Sequence, residues 1–167
     1  MITLIDLFLG IGSNEGNRKT NLTTAIKQIK EQFRIIYRES SVYETEAWGK
    51  IDQAAFLNMV LWLKVPEMDP FDILYKLKKI ELGMGRVRVE KWGPRVIDLD
   101  ILYYGSIVVD SARLTIPHPQ LKNRRFVLAP LAEIAGEFQD PVTGVSVRQL
   151  KEACRDPLQV KLFGEYR

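Results

Sequence analysis

The side chains best suited to chemistry are concentrated in residues 86–101, which carry four cations, one tryptophan and a pair of aspartates. Alternating polar and apolar residues predict a strand over residues 96–104, with Asp98 and Asp100 on one face. The other face is expected to carry the side chains of Ile97, Leu99, Ile101 and Tyr103. Carboxylate stems roughly 6.6 Å apart on a strand can share one cation or hold two, which suits Mg²⁺. An isolated Asp-x-Asp is more often a solvated strand face, so a functional role for the pair depends on the residues around it.

Cations stand directly before the two carboxylates, at Arg86, Arg88, Lys91 and Arg95. Basic side chains that bind phosphate, placed beside acids that bind metal, suit a polyphosphate held as its magnesium salt. Residues 83–95 have glycines at positions 83, 85 and 93 and no apolar period, which predicts a mobile loop that carries these cations.

Length and composition are typical of one globular domain, expected to span residues 1–167, with 46% hydrophobic and 27% charged residues. The net charge of +3 and the clustering of basic residues favour a small polyanion over a nucleic acid as the partner. Cys154 is the single cysteine, which fits a reducing cytosol. The apolar run of residues 2–9 is short and contains Asp6, so we predict a strand there and neither a signal peptide nor a membrane span. We expect a cytoplasmic monomer without a membrane partner.

Hydrophobic periodicity predicts the element order β-α-β-β-α-β with additions, which is an α+β split βαβ sandwich. We expect an antiparallel sheet with helices on one face and an extra β-hairpin that turns at Gly105 and Ser106. A helix over residues 126–135 is expected to be broken by Pro130, and Ser146 with Gln149 predicts a capping box. The strands are expected at residues 2–9, 34–43, 56–65, 96–104 and 160–163, and the helices after residues 17 and 69.

Two polar features have no assigned role from the pattern alone. The glycines of residues 10–17 follow neither the dinucleotide fingerprint nor a P-loop, so the segment is either a plain tight turn or a flexible pocket wall. Asn58 lies between apolar neighbours on a predicted strand, where an amide must find partners or bind something.

Motifs distributed along nearly the whole chain carry a resemblance to a known family. They are Gly-Ser-Asn near the N-terminus, Phe56-Leu-Asn58, Gly85-Arg-Val-Arg88, Trp92-Gly-Pro-Arg95-x-x-Asp98-x-Asp100-Ile101-Leu, Pro117-His118-Pro119 and Arg124-x-Phe126-Val-Leu-x-Pro130-Leu. In order and spacing they resemble the 6-hydroxymethyl-7,8-dihydropterin pyrophosphokinases. The resemblance implies a ferredoxin-like fold and transfer of the β,γ-pyrophosphate of ATP to the pterin hydroxymethyl group in tetrahydrofolate biosynthesis, with release of AMP.

The resemblance also implies roles for individual residues on the phosphate side. Asp98 and Asp100 would bind two Mg²⁺ ions between ATP and pterin, and with Arg86 and Arg95 they form the implied catalytic set. No general base is implied, and His118, the only histidine, would donate a hydrogen bond to phosphate. The implied ATP-binding residues are Arg86, Arg88, Lys91, Trp92, Arg95, Ile101, Arg113, Thr115, His118 and Arg124.

On the pterin side the resemblance implies an aromatic sandwich and amide hydrogen bonds, which give a flat heterocycle its stacking and its specificity. The matching positions are Thr45, Trp48, Phe56, Asn58, Trp92, Asp98 and Phe126. This sequence departs from the family pattern at Glu46, where proline is frequent, at Trp48, where a smaller apolar residue occurs, and at Lys91, where arginine is usual.

Two other classes of function remain open at this stage. A split βαβ sheet with a basic loop could be an RNA-binding module, although the glycine-aromatic signature of such modules is absent. A metal-dependent nuclease would also require paired acids. Magnesium-dependent formation of AMP from ATP, only when a reduced hydroxymethylpterin is present, would exclude both.

Overall fold

The computed structural model describes residues 1–46, 53–86 and 93–164. The predicted mobile loop of residues 83–95 therefore lies partly outside the described residues. The elements are β1 (Leu4–Ser13), α1 (Arg18–Phe33), β2 (Ile36–Glu39), β3 (Val42–Thr45), β4 (Phe56–Pro66), α2 (Pro70–Gly83), β5 (Asp98–Tyr104), β6 (Val109–Asp110), β7 (Thr115–Ile116), α3 (Arg125–Ala135), α4 (Val147–Ala153) and β8 (Val160–Gly164), with a 3₁₀ turn at Leu121–Asn123.

The main sheet has the strand order β5-β1-β4-β3-β8, with β2 also paired to β4, and its pairings are antiparallel. This topology confirms the predicted ferredoxin-like α+β fold. The second predicted strand, residues 34–43, is in fact split into β2 and β3. The split occurs at Ser40, where the side-chain Oγ accepts a hydrogen bond from the Val60 N–H at 2.8 Å and so replaces a backbone partner.

One face of the sheet is covered by α1 and α2, as predicted. The buried stripe of α1 packs on the side chains of β4 that point to this face. Both helices begin at side-chain caps, because Asn17 accepts a hydrogen bond from the Thr20 N–H and Asp69 accepts one from the Phe71 N–H. The β4 residues on this face are Leu57, Met59, Leu61, Leu63 and Val65.

The opposite face is covered by α3 and α4. Both helices were predicted, but the prediction that helices cover only one face of the sheet is wrong. Leu128 and Leu131 of α3 pack against Phe8, Val60 and neighbouring apolar side chains of the sheet. The prediction that Pro130 breaks this helix is wrong, because α3 continues through it. The apolar contacts of α3 compensate for the one backbone hydrogen bond that a proline cannot donate.

A register shift in β5 changes which side chains share a face. Leu9 pairs with Ile101 and Phe8 pairs with Tyr103, so Leu102 is an extra residue on its strand. Because one extra residue reverses the alternation, the side chain of Tyr103 joins the face of Leu102, and the prediction that it lies with Leu99 is wrong. Asp98 and Asp100 precede the shift and keep their common face.

Two loop predictions also need correction. A turn does follow β5 at Gly105, which has a φ of +52°, but the strand beyond it does not pair with β5. The extra hairpin is formed by β6 with β7 instead. In the glycine-rich segment, residues 10–13 continue β1 and only residues 14–17 turn. Within the described ranges, no helix is both long and apolar enough to cross a membrane.

Candidate active site

A pocket opens on the face of the sheet that also carries α3, above the ends of β1, β4 and β5. Eight of the residues predicted for the two substrates line it together: Thr45, Phe56, Asn58, Arg95, Asp98, Asp100, Arg124 and Phe126. They come from β3, from β4, from β5 with the residues just before it, and from the start of α3, so only the folded sheet brings them together. The wall is completed by residues that were not predicted to bind either substrate, including Gly10, Gly12, Glu46, Gly93, Leu102 and Val127.

Glycines of β1 form the floor between the acidic and the amide side chains. Gly12 pairs with Asp98 on one side and with Asn58 on the other, and Gly10 pairs with Asp100. Side chains of residues paired in this way point to the same face of the sheet. Asp98 and Asn58 therefore lie on either side of Gly12, which has no side chain, and their Cα atoms are roughly 10 Å apart across two strand spacings. A Cβ at Gly12 would lie 2.8 Å from Asn58 Oδ1. The glycines are thus a pocket wall, made by a strand and not by a flexible loop.

Asp98 is bound on both oxygens by arginines predicted to be catalytic. Its Oδ1 lies 3.1 Å from Arg86 Nη1, and its Oδ2 accepts a hydrogen bond of 2.8 Å from Arg95 Nη1. Arg86 Nη1 also lies 2.5 Å from Oε2 of Glu81, a carboxylate on α2 that is only 2% exposed. Arg86, which is not a lining residue of the pocket, is therefore held at its edge between two acids.

Asp100 lies in a strongly acidic environment. Burial, followed by the charges of Asp98 and Glu81, raises the pKa of its carboxyl to about 7, although Arg124 and Lys78 act in the opposite direction. Two carboxylates on adjacent outward positions of one strand are hard oxygen donors, and a divalent cation would relieve their repulsion. Among the described residues no three acidic, His or Cys side chains group together as a metal site. Mg²⁺ commonly takes one or two carboxylates and completes its shell with phosphate and water, so the pair fits this ion.

His118 is an uncharged hydrogen-bond donor beside the pocket. Burial, followed by the nearby charge of Arg124, lowers the pKa of its imidazole to about 4, although Asp98 acts in the opposite direction. Its Nδ1 accepts a hydrogen bond of 3.1 Å from the Gln120 N–H. The neutral ring must then carry its proton on Nε2, which leaves this nitrogen as the donor. The arrangement supports the predicted hydrogen bond to a phosphate oxygen.

The other end of the pocket offers aromatic rings and an ordered amide. Phe56 and Phe126 both contribute to the lining, and the guanidinium of Arg124 lies 5.7 Å from the Phe126 ring centroid. Asn58 Nδ2 donates a hydrogen bond of 2.7 Å to Thr45 Oγ1. That bond fixes the orientation of the amide, so Asn58 and Thr45 present a defined polar edge.

Some predicted site residues lie away from this pocket or beyond the described ranges. The Ile101 side chain is buried on the opposite face of the sheet, so only its backbone could contact a nucleotide. Arg113 lies over the ring of Phe71 at 5.5 Å, and Thr115 belongs to β7, so neither lines the pocket. The predicted residues that fall outside the described residues are Trp48, Arg88, Lys91 and Trp92.

Two polar residues important to the geometry were missed by sequence reasoning. Glu81 is one of several charges on an amphipathic helix, yet it is buried, forms an ion pair with Arg86 and accepts a hydrogen bond from the Leu99 N–H. Asn14 is 4% exposed and contacts the segments on both sides of the pocket. The Gly-Ser-Asn motif was a signal for Asn14, whereas no local pattern distinguished Glu81.

Paired carboxylates facing arginines on a ferredoxin-like sheet define a phosphate-transferring class of enzyme. Residues 8–136 match the family model described as 7,8-dihydro-6-hydroxymethylpterin-pyrophosphokinase. The chain is 43% identical over 145 residues to the 2-amino-4-hydroxy-6-hydroxymethyldihydropteridine pyrophosphokinase of Synechocystis, covering 86% of this chain and 73% of the relative. The Bacillus subtilis enzyme of the same name is 38% identical over 143 residues, with 85% of each chain covered. The chain therefore belongs to the 7,8-dihydro-6-hydroxymethylpterin-pyrophosphokinase family, and the predicted family and enzyme class are confirmed.

Solved structures support the fold. An HPPK-DHPS protein in complex with substrates superposes with a TM-score of 0.73 at 16% identity, over 90% of this chain. Wild-type HPPK-DHPS of Plasmodium falciparum gives a TM-score of 0.72 at 18% identity, also over 90% of this chain. The chain covers 43% and 41% of those two longer proteins.

Proposed function

We propose that this chain transfers the β,γ-pyrophosphate of ATP to the hydroxymethyl oxygen of 6-hydroxymethyl-7,8-dihydropterin and releases AMP. The observation that carries the proposal is the row Asp98, Gly12, Asn58 across three adjacent strands. It puts a carboxylate suited to metal and phosphate at one end of the pocket and an amide suited to a heterocycle at the other. The open position at Gly12 leaves room for the hydroxymethyl group between them.

The pterin half of the site is assigned to the rings and the amide. Phe56 and Phe126 provide faces for stacking on a flat heterocycle. Asn58, oriented by its bond to Thr45, would read the donor and acceptor edge of the pterin, so a ring lacking these groups would leave a polar group unpaired. Trp48 and Trp92 remain predicted contributors to this half.

The phosphate half is assigned to the acids and the cations. Asp98 and Asp100 would hold the two predicted Mg²⁺ ions, which when bound would neutralise negative charge on the phosphate oxygens. Arg95, Arg124 and the Nε2–H of His118 would donate hydrogen bonds to those oxygens and fix the triphosphate in line for attack. Arg88, Lys91, Arg113, Thr115 and the backbone of Ile101 remain predicted ATP contacts.

Both oxygens of Asp98 face guanidinium groups, so a metal ion would compete with Arg86 and Arg95 for this carboxylate. A cation bound there would repel the two guanidinium groups, and an arginine that moves away from Asp98 could bind phosphate. Glu81 would continue to neutralise part of the charge of Arg86 while Arg86 moves from Asp98 to phosphate. The arginines would thus move from stabilising the empty carboxylate to stabilising the phosphate.

The reaction forms a bond between the hydroxymethyl oxygen and the β-phosphorus and breaks the bond from that phosphorus to the oxygen bridging to the α-phosphate. AMP leaves with the bridging oxygen, and the hydroxyl proton is released without an assigned protein base. The residues described above contribute alignment and charge neutralisation, which are the main requirements of phosphoryl-type transfer. A single domain, a monomeric state and a cytoplasmic location remain predictions.

The test is a chromatographic assay of AMP with the purified chain, ATP and Mg²⁺. We expect AMP and the pterin diphosphate in equal amounts when 6-hydroxymethyl-7,8-dihydropterin is added, and neither product without it. Omission of Mg²⁺ with a chelator should stop the reaction. AMP formation that ignores the pterin, or cleavage of single-stranded RNA or DNA under the same conditions, would contradict the proposal.

A further inference from the structure

Asn14, the first residue after β1, uses every polar atom of its side chain in contacts with other segments. Its Oδ1 accepts a hydrogen bond of 2.8 Å from the Arg95 N–H. Its Nδ2 donates hydrogen bonds of 3.1 Å to the carbonyl oxygen of Ala54 and to Oε1 of Gln53. The backbone N–H of Asn14 also donates to the carbonyl oxygen of Arg95 at 3.1 Å. Asn14 therefore joins β1 to two separate segments of the chain.

Each of the two segments leads directly to one half of the pocket. Arg95 lies three residues before Asp98 and binds it through the guanidinium. Gln53 and Ala54 precede β4, whose first residues include Phe56 and Asn58. The planar amide of Asn14 spans the gap between the phosphate side and the pterin side with one rigid group.

We infer that Asn14 is a positioning residue, which sets the distance between the Arg95 backbone and the start of β4. The inference rests on the proposed function, in which ATP phosphate and pterin meet between these segments. Because Asn14 lies 4% exposed, its hydrogen bonds are protected from water, and loss of a partner would leave buried polar groups unsatisfied. A displacement of about 1 Å between two bound reactants can lower a rate by about 100-fold.

Asn21 of α1 is a matched control, because its side chain contacts the same turn. Asn21 Nδ2 also donates two hydrogen bonds, to Ser13 Oγ at 3.1 Å and to the carbonyl oxygen of Glu15 at 2.8 Å. These bonds stabilise residues 13–15 from the α1 side and reach neither pocket segment. Asn21→Ala therefore reports what loosening of the turn does by itself.

The first experiment measures structure and not activity. Amide hydrogen exchange of Arg95, followed by NMR, should be about tenfold faster in Asn14→Ala than in the wild type, since its acceptor is gone. Asn14→Asp retains an oxygen for this N–H, so the exchange rate should stay near that of the wild type. Asn21→Ala should also leave the Arg95 amide unchanged. An Arg95 amide that exchanges at the wild-type rate in Asn14→Ala overturns the inference.

The second experiment separates the two halves by kinetics. Asn14→Asp places a carboxylate oxygen against the Ala54 carbonyl, so the KM for the pterin should rise by about tenfold while the KM for ATP changes little. Asn14→Ala should lower kcat by about tenfold or more, and Asn21→Ala should stay within about twofold at temperatures well below its Tm. If Asn14→Ala does not fold, Asn14→Asp decides, and an unchanged pterin KM in that variant overturns the inference.

The two proposals fail in different ways. A wild-type chain that forms no AMP with the pterin contradicts the proposed function, whatever the Asn14 variants do. An active wild type whose Asn14→Asp and Asn21→Ala variants have the same pterin KM contradicts only the role of Asn14.

Discussion

Glu81 of α2 accepts a hydrogen bond of 2.9 Å from the backbone N–H of Leu99, the residue that separates the two aspartates of β5. Its other oxygen forms ion pairs with Arg86 at 2.5 Å and Lys78 at 3.2 Å. This buried carboxylate therefore connects the helical layer to the strand that carries Asp98 and Asp100.

Replacing Glu81 with glutamine should lower the free energy of unfolding by about 1–3 kcal/mol. The amide retains an acceptor for the Leu99 N–H but removes the more buried of the two carboxylates that pair with Arg86, which keeps only Asp98. Lys78→Gln is the control, because Lys78 pairs with the same carboxylate while its side chain is 52% exposed, and such pairs contribute about 1 kcal/mol or less. Urea unfolding measures both. Equal losses of unfolding free energy in the two variants would show that the buried Glu81–Arg86 pair stabilises the fold no more than an exposed pair does.

Asp98→Asn and Asp100→Asn should each fold normally and lose most turnover. Each change removes a charged oxygen donor for the metal. Because charge neutralisation by a metal lowers the free energy of a transition state by several kcal/mol, kcat should fall on the order of 100-fold. Asp110→Asn, at an exposed position of β6, is the control and should keep wild-type kcat. Near-normal kcat in either pocket variant at saturating Mg²⁺ would refute the metal assignment.

Gly12→Ala should weaken pterin binding more than it affects ATP. The new Cβ would lie 2.8 Å from Asn58 Oδ1, so the amide must move from the position that its bond to Thr45 defines. A rise of about tenfold in the pterin KM is expected if one hydrogen bond to the pterin is lost. Gly83→Ala serves as the control, because no atom lies within 4 Å of its added Cβ. A pterin KM that is equal in both variants would argue against the role of Gly12.

Asp140 should make stability fall in acid. Burial works against its charge, but hydrogen bonds from the Thr143 backbone, the Tyr103 hydroxyl at 2.8 Å and the Val142 backbone hold the pKa of Asp140 below its usual value. A carboxyl whose folded pKa is depressed stabilises the fold above its unfolded pKa of about 3.9, and this contribution is lost as pH falls through the folded value.

Asp140→Asn should therefore cost about 1–3 kcal/mol at pH 7, and the difference from the wild type should shrink below about pH 4. Urea unfolding at several pH values gives this difference directly. Asp69→Asn is the control, because asparagine also caps helices well and the change should be small at every pH. A difference in the free energy of unfolding between wild type and Asp140→Asn that stays constant down to pH 2 would contradict the stabilising role of the Asp140 carboxylate.

The sequence by itself determined the elements whose pattern is local. The helices after residues 17 and 69, the strand over residues 56–65, the capping box of Ser146 with Gln149 and the β8 segment were all predicted from the sequence, because helix and strand periods act within a few residues. The common face of Asp98 and Asp100 follows from the same alternation.

Only the tertiary structure decided which segments meet. The extra residue at Leu102, the pairing of β6 with β7 and the second helical layer depend on partners distant in sequence, which periodicity does not identify. The same holds for the site. Gly12 lies between Asp98 and Asn58 because strand order and register pair it with residues that are 86 and 46 positions away in sequence. Charge and hydrogen-bond partners are chosen by distance in space, so Glu81 and Asn14 acquired their roles only when the sheet was assembled.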